Sequence, residues 1–223
     1  MSQELIKLPT DELLTKFGSG LHKPGSGSAA ALVGLVSCKL VQTVISLSHG
    51  REQYQGVEDQ LTLVNQDILG DIEPTLKSAI QEDSEQFDRV FQARVLRDNE
   101  TDALKKKQLS EKALNELRIA TEIPIRIAET CLALAEKAKL VFDLGFKSAR
   151  GDSGVAISAA LAAASGCVSI IYLNLTSFRG GEWAVRTREK ADELSQRTQN
   201  LQIQLVERIG HLQREVMKRE NQG

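Results

Sequence analysis

Pro24-Gly25-Ser26-Gly27-Ser28 runs without a break into Ala29-Ala30-Ala31-Leu32-Val33-Gly34-Leu35-Val36-Ser37-Cys38. A Gly/Ser turn therefore opens a long apolar segment, expected to be helical from about residue 28 to residue 48, and its small side chains let neighbouring helices approach closely. Such a junction leaves backbone N–H groups unpaired at the positive end of a helix dipole, and glycines let a ligand come near that backbone. Gly25, Ser26, Gly27 and Ser28 thus form a candidate anion or carbonyl site. The same residues also suit a plain turn with Ser26 or Ser28 as the helix cap, and no phosphate-loop lysine follows them.

Outward from this stretch the helical period recurs in nearly every segment. Four prolines in 223 residues, and the lack of any long alternating β-branched run bounded by turns, make the chain all-α. A short helix is expected from Thr10 to Gly18, amphipathic helices over about 52–70 and from Pro74 to about 95, and further helices over about 101–122 and from Pro124 to about 144. Pro74 either opens a helix or kinks a longer one. After a loop at 145–153, a second small-residue helix runs from Val155 to about Leu175, and a long charged helix covers about 183–219 with an apolar seam of Leu194, Leu201, Leu205, Ile209 and Leu212. The expectation is one domain over residues 1–219, a bundle of long helices around two central small-residue helices, with a frayed tail at 220–223.

Lys and Arg number 28 against 30 Asp and Glu, a net charge of −2 that gives no electrostatic reason to expect nucleic acid or an anionic membrane as partner. Lys39, Gln42, Thr43, Ser46 and Ser48 interrupt the apolar run before His49-Gly50, which fits a central helix better than a membrane span. Met1 to Pro9 lacks the basic start and apolar stretch of a signal peptide, so a cytoplasmic location is expected. Cys38, Cys131 and Cys167 lie far apart in apolar runs and read as reduced core residues. With His22, His49 and His211 scattered, no metal site is expected.

Asp83 stands out as a candidate for chemistry. Leu76, Ile80, Asp83, Phe87 and Val90 follow a 4-3-4-3 spacing, so Asp83 occupies an otherwise apolar stripe. Desolvation beside Phe87 and Phe91 would raise its pKa into a range useful for proton transfer, unless a basic partner offsets it. A structural ion pair is the alternative. Gln42, Ser46 and His49 share a helix face, where His49 either meets a ligand or compensates the helix dipole. Asp152 and Ser153 either cap the second small-residue helix or place Asp152 beside a substrate. Lys23, Arg51, Lys147 and Arg150 flank the two Gly/Ser turns and could receive the carboxylates of an acidic ligand, although loop cations are usually just solvated.

Taken in order, Pro24-Gly25-Ser26-Gly27-Ser28-Ala29-Ala30, Gly50-Arg51-Glu52-Gln53-Tyr54, Asp83-Ser84-Glu85-Gln86-Phe87, Gly151-Asp152-Ser153-Gly154-Val155-Ala156 and Asn174-Leu175 resemble the cyclodeaminase/cyclohydrolase family of folate enzymes. The chain departs from the family pattern at Ser26, Gly151 and Ile170. The resemblance implies an all-helical homodimer that binds a tetrahydrofolate derivative near the glycine-rich turn and needs no cofactor beyond that substrate. It implies Asp83 as the catalytic acid/base and Lys23, Gly25, Ser26, Gly27, Ser28, Arg51, Phe87, Asp152 and Asn174 as substrate-binding residues. The reaction it implies first is cyclisation of 5-formimino-tetrahydrofolate to 5,10-methenyl-tetrahydrofolate with loss of ammonia. Hydrolysis of the methenyl compound is the alternative, and a non-catalytic helical dimer is the alternative of another class.

Overall fold

Seven α-helices and no strand make up the residues that this computed structural model describes, 4–220 without the Arg219 side chain. They are α1 (Thr10–Phe17), α2 (Ser26–Ser48), α3 (Glu58–Asp67), α4 (Glu73–Asn99), α5 (Ala103–Leu144), α6 (Arg150–Leu175) and α7 (Glu182–Glu220). The all-α bundle matches the expectation. The frayed tail expected at 220–223 lies outside the described residues except for Glu220, with which α7 ends.

The two small-residue helices, α2 and α6, form the centre and run antiparallel. Ser37 Oγ donates to the Ala156 carbonyl at 2.7 Å, and near the end of α2 the Phe146 N–H donates to Ser48 Oγ at 2.8 Å. On its other side bare backbone lets α2 come close to α5 and α4: a Cβ on Gly34 would stand 2.9 Å from Cys131 Sγ and 3.0 Å from Leu76 Cδ1. Around this pair, α5 packs along α6, α4 and α2, while α7 lies on α6 through buried Leu194, Leu201 and Leu205. Each large apolar side chain sealed here, such as Ile45, Leu76, Ile127 or Ile171, contributes about 1.5–3 kcal/mol by burial. Cys38, Cys131 and Cys167 are free thiols within the same core. Burial pushes Cys38 and Cys131 up to about 12, and Cys167 moves in the same direction.

Element boundaries depart from expectation where backbone geometry overrides local signals. Pro124 does not begin a helix; it sits buried within the 42-residue α5. A proline inside a helix costs about 3 kcal/mol through its missing N–H and its ring, and packing along both flanks of α5 outweighs that. Pro74 stands in the first turn of α4, as one of the two expectations had it, and a π-turn over Ile68–Ile72 carries α3 directly into that helix. The loop expected at 145–153 is shorter, since Lys147–Ala149 forms a 3₁₀ turn and α6 starts at Arg150. Asp152 and Ser153 therefore lie inside the first turn of α6 and do not cap it; the cap position is Ala149. Likewise Gly25 occupies the cap position of α2, without any side-chain bond from Ser26 or Ser28.

The outward face of α6 carries small and uncharged side chains as well. No charged residue occurs from Ser153 to Phe178. The exposed positions Val155, Ser158, Ala162, Gly166, Ser169 and Leu173 recur every three or four residues along α6. By length and composition, Ser26–Ser48 and Lys147–Leu175 could each cross a membrane, and 50% of the most apolar window of each is buried in the bundle.

Candidate functional site

The Gly/Ser turn meets α4 at Asp83. Gly25 and Gly27 bring the start of α2 against the carboxylate, and a Cβ on Gly27 would stand 2.6 Å from Asp83 Cγ and closer still to Oδ1, so only glycine fits. Asp83 Oδ2 accepts from the Ser28 N–H at 2.7 Å and from Ser28 Oγ at 2.9 Å. A carboxylate from another helix thus supplies the N-terminal cap that neither serine gives its own backbone, and it faces the positive end of the α2 dipole. Burial raises the Asp83 pKa, and the two bonds from Ser28 lower it without cancelling the rise. The ion pair that a purely structural Asp83 would need is absent among the described residues.

Phe87 is half-buried one turn along α4 from Asp83. One turn further, the Phe91 ring stacks on His22 with centroids 4.1 Å apart and planes inclined by 11°. Sequence alone showed no partner for His22. In the structure its Nε2 is 2.7 Å from Asp88 Oδ1, and Lys23 Nζ is 3.0 Å from Oδ2 of the same carboxylate. Bonds from His22 and Lys23 hold Asp88 below the usual carboxylate range. Ser26 is exposed beside the turn. Behind Lys23 and Pro24 lies a cleft of about 830 Å³ that Leu5, Leu8, Gln81 and Ser84 also line; Asp83 is adjacent in sequence to its wall but not on it.

Because α6 runs opposite to α2, its C-terminal end lies toward the Asp83 side. There Asn174 Nδ2 donates to Thr121 Oγ1 at 3.1 Å, and Thr121 Oγ1 in turn donates to the Leu117 carbonyl. Phe178, just beyond α6, packs on Val90, Leu117 and Ala120. Arg51 and Asp152 belong to the other end of the molecule. The 23 residues of α2 separate Arg51 from the Gly/Ser turn, about 35 Å at helical rise. The Arg51 guanidinium lies 4.2 Å from the centre of the Phe146 ring. Asp152 shares the first turn of α6 with Arg150, which reaches Glu215 at 3.0 Å and leaves its Nε buried without a partner. Within the chain the expected site is therefore two clusters: Lys23, Gly25, Ser26, Gly27, Ser28, Asp83 and Phe87 with Asn174 toward one end, Arg51 and Asp152 at the other.

His49, at the far end of α2, has its Nδ1 2.8 Å from Glu58 Oε1, away from the Gly/Ser turn. The buried Glu73, which the sequence did not single out, joins Lys39 and Lys77 at 2.7 and 2.6 Å. Burial works to raise its pKa, but the two lysines outweigh burial and hold it lowered. Among the described residues no three His, Cys, Asp or Glu side chains are grouped to hold a metal.

Residues 9–193 match a family model described as formiminotransferase-cyclodeaminase. Over 164 residues the chain is 31% identical to a methenyltetrahydrofolate cyclohydrolase of Methylorubrum extorquens, covering 74% of this chain and 77% of that protein. Its fold resembles the crystal structure of formiminotetrahydrofolate cyclodeaminase from Thermotoga maritima, with a TM-score of 0.81 over 94% of this chain and 99% of the other, at 17% identity.

Proposed function

The chain belongs to the formiminotransferase-cyclodeaminase family, and from that premise we propose that it is an enzyme acting on the one-carbon group at N5 and N10 of tetrahydrofolate, with Asp83 as the proton-transfer group. The observation that carries this reading is the Asp83 carboxyl held against the glycine turn, its proton affinity raised by burial and no cation paired with it among the described residues. A carboxyl poised in this way can take a proton during bond formation and return it during bond cleavage.

The relative that is 31% identical favours hydrolysis of 5,10-methenyl-tetrahydrofolate. In that reaction water attacks the methenyl carbon and gives one proton to Asp83, which returns it to the departing nitrogen as the carbon–nitrogen bond breaks; the remaining hydroxyl proton passes to solvent, leaving a formyl group on the other nitrogen. The family description supports a second reading, cyclisation of 5-formimino-tetrahydrofolate. There N10 attacks the formimino carbon, Asp83 takes the N10 proton, and a proton delivered to the departing nitrogen releases ammonia. Phe87 supplies an apolar wall, and Gly25, Ser26, Gly27 and Ser28 border the substrate. No cofactor or metal enters either reaction. A cytoplasmic setting, where thiols stay reduced, suits the three free cysteines.

A homodimer would unite the two clusters. The uncharged outer face of α6 allows a second copy to pack close, and a two-fold axis near Ala162 and Gly166 pairs the helices antiparallel. Residues 152 and 174 lie almost equally far from that axis, so Asp152 of one copy would fall opposite Asn174 of the other. Arg51, at the same end as Asp152, would then approach the Asp83 side of the partner and meet the acidic tail of the substrate.

The test is absorbance of the methenyl chromophore, with the purified protein given each substrate separately. Decay of 5,10-methenyl-tetrahydrofolate above the uncatalysed rate supports hydrolysis, and its appearance from 5-formimino-tetrahydrofolate supports cyclisation. Silence in both, from folded protein, overturns the folate reading.

A further inference from the structure

Ser28 has two acceptors and one hydroxyl proton. Its Oγ is 2.8 Å from the Ile80 carbonyl and 2.9 Å from Asp83 Oδ2, while a serine has a single O–H to donate. The N–H of the same residue donates to the same Oδ2 at 2.7 Å. With the hydroxyl turned toward it, Oδ2 has both lone pairs engaged. The Ile80 carbonyl loses little, since it lies inside α4 and keeps its place in the helical ladder. Oδ1 accepts no bond among the described residues, is not among the sealed unpartnered atoms, and lies over the bare Cα of Gly27.

We propose that Ser28 is a positioning residue for the acid/base step: its N–H and O–H together occupy Oδ2 and confine the exchangeable proton to Oδ1, the oxygen over Gly27. The hydroxyl turns to Oδ2 as charge appears on Asp83 and toward the Ile80 carbonyl as charge is lost. Ser28 thereby stabilises the anion without any lasting counter-charge, which would leave Asp83 too weak a base. The inference rests on Asp83 being the acid/base of the proposed reaction.

The surrounding titratable groups are committed elsewhere. On the turn before α2, His22 and Lys23 both bind Asp88. On α4, Glu82 pairs with Arg126 of α5. From α6 the buried Cys167 thiol is within the electrostatic reach of the carboxyl, and burial above all raises its pKa. A change in the Asp83 titration on altering Ser28 therefore reports the hydroxyl.

The experiment follows aspartate carboxyl carbons by ¹³C NMR as pH is varied, with Asp83 assigned by the resonance missing from Asp83→Asn. Ser28→Ala keeps the N–H bond and removes the hydroxyl, so the Asp83 midpoint should rise by about one pH unit, the scale of one charge-assisted bond. The acid limb of the kcat/KM profile should rise with it, and kcat should fall more than KM changes. Ser28→Cys, which keeps a weak donor of similar size, should fall between the two and serves if the alanine variant does not fold. An unmoved midpoint in a folded variant overturns the inference. A midpoint that moves in a protein inert toward both folates supports the Ser28–Asp83 coupling and counts against the folate reading alone.

Discussion

Burial and hydrogen bonding act on Asp83 in opposite senses, and burial prevails. Its proton is therefore held more tightly in the folded chain than in the unfolded one. The stability this contributes is complete below the unfolded pKa and is lost as pH rises through the folded pKa. Asp83→Asn keeps the acceptor for Ser28 and removes the titration. As pH rises from the ordinary carboxylate value of 3.8, its melting temperature should fall less than that of the wild type, while turnover drops about a hundredfold or more; a thermal scan and the methenyl assay check both. Gly27→Ala isolates the space over Oδ1. In an open helix the change would stabilise by about 1 kcal/mol, but here the new Cβ drives Asp83 off Ser28. Turnover should fall about tenfold or more with the helical circular dichroism spectrum retained. Asp83 was legible in the sequence because one charged residue interrupts an apolar 4-3-4-3 stripe. Its bond to Ser28 was not, since 55 residues separate the two and no local pattern records which helix caps which.

Helix identity was legible wherever apolar periodicity and breakers agreed, as at Gly18 and at His49-Gly50. It was not legible where tertiary packing overrode the breaker. Pro124 carries a strong start signal, yet α5 runs through it, and the π-turn that absorbs the join before Pro74 has no sequence signature. The start of α6 was set five residues late because Gly151-Asp152-Ser153-Gly154 reads as a loop, although its backbone is already helical from Arg150. Small residues also let α2 pack closely against α4 and α5, and Gly34 tests that contact. The added methyl of Gly34→Ala has no room beside Cys131 and Leu76. The variant should lose about 1–3 kcal/mol despite the better helix propensity of alanine, read as a lower urea midpoint with an unchanged slope.

Across the whole molecule, the candidate residues divide between two ends, and the uncharged face of α6 connects them. Ala162 is exposed near the middle of that face, so Ala162→Glu would set two like charges against each other across a two-fold contact while disturbing nothing inside one protomer. Light scattering on a sizing column should give a dimer mass for the wild type and a monomer mass for the variant, with folate turnover falling in parallel. A wild-type monomer would rule out the shared site. The core has a consequence of its own. Cys38, Cys131 and Cys167 sit on α2, α5 and α6, sealed from water and held protonated. Local fraying at the helix ends exposes none of them, so an alkylating reagent labels only chains in which the central packing has come apart. The protein thus carries three internal clocks, and their agreement or disagreement would tell whether the centre opens as a unit or helix by helix.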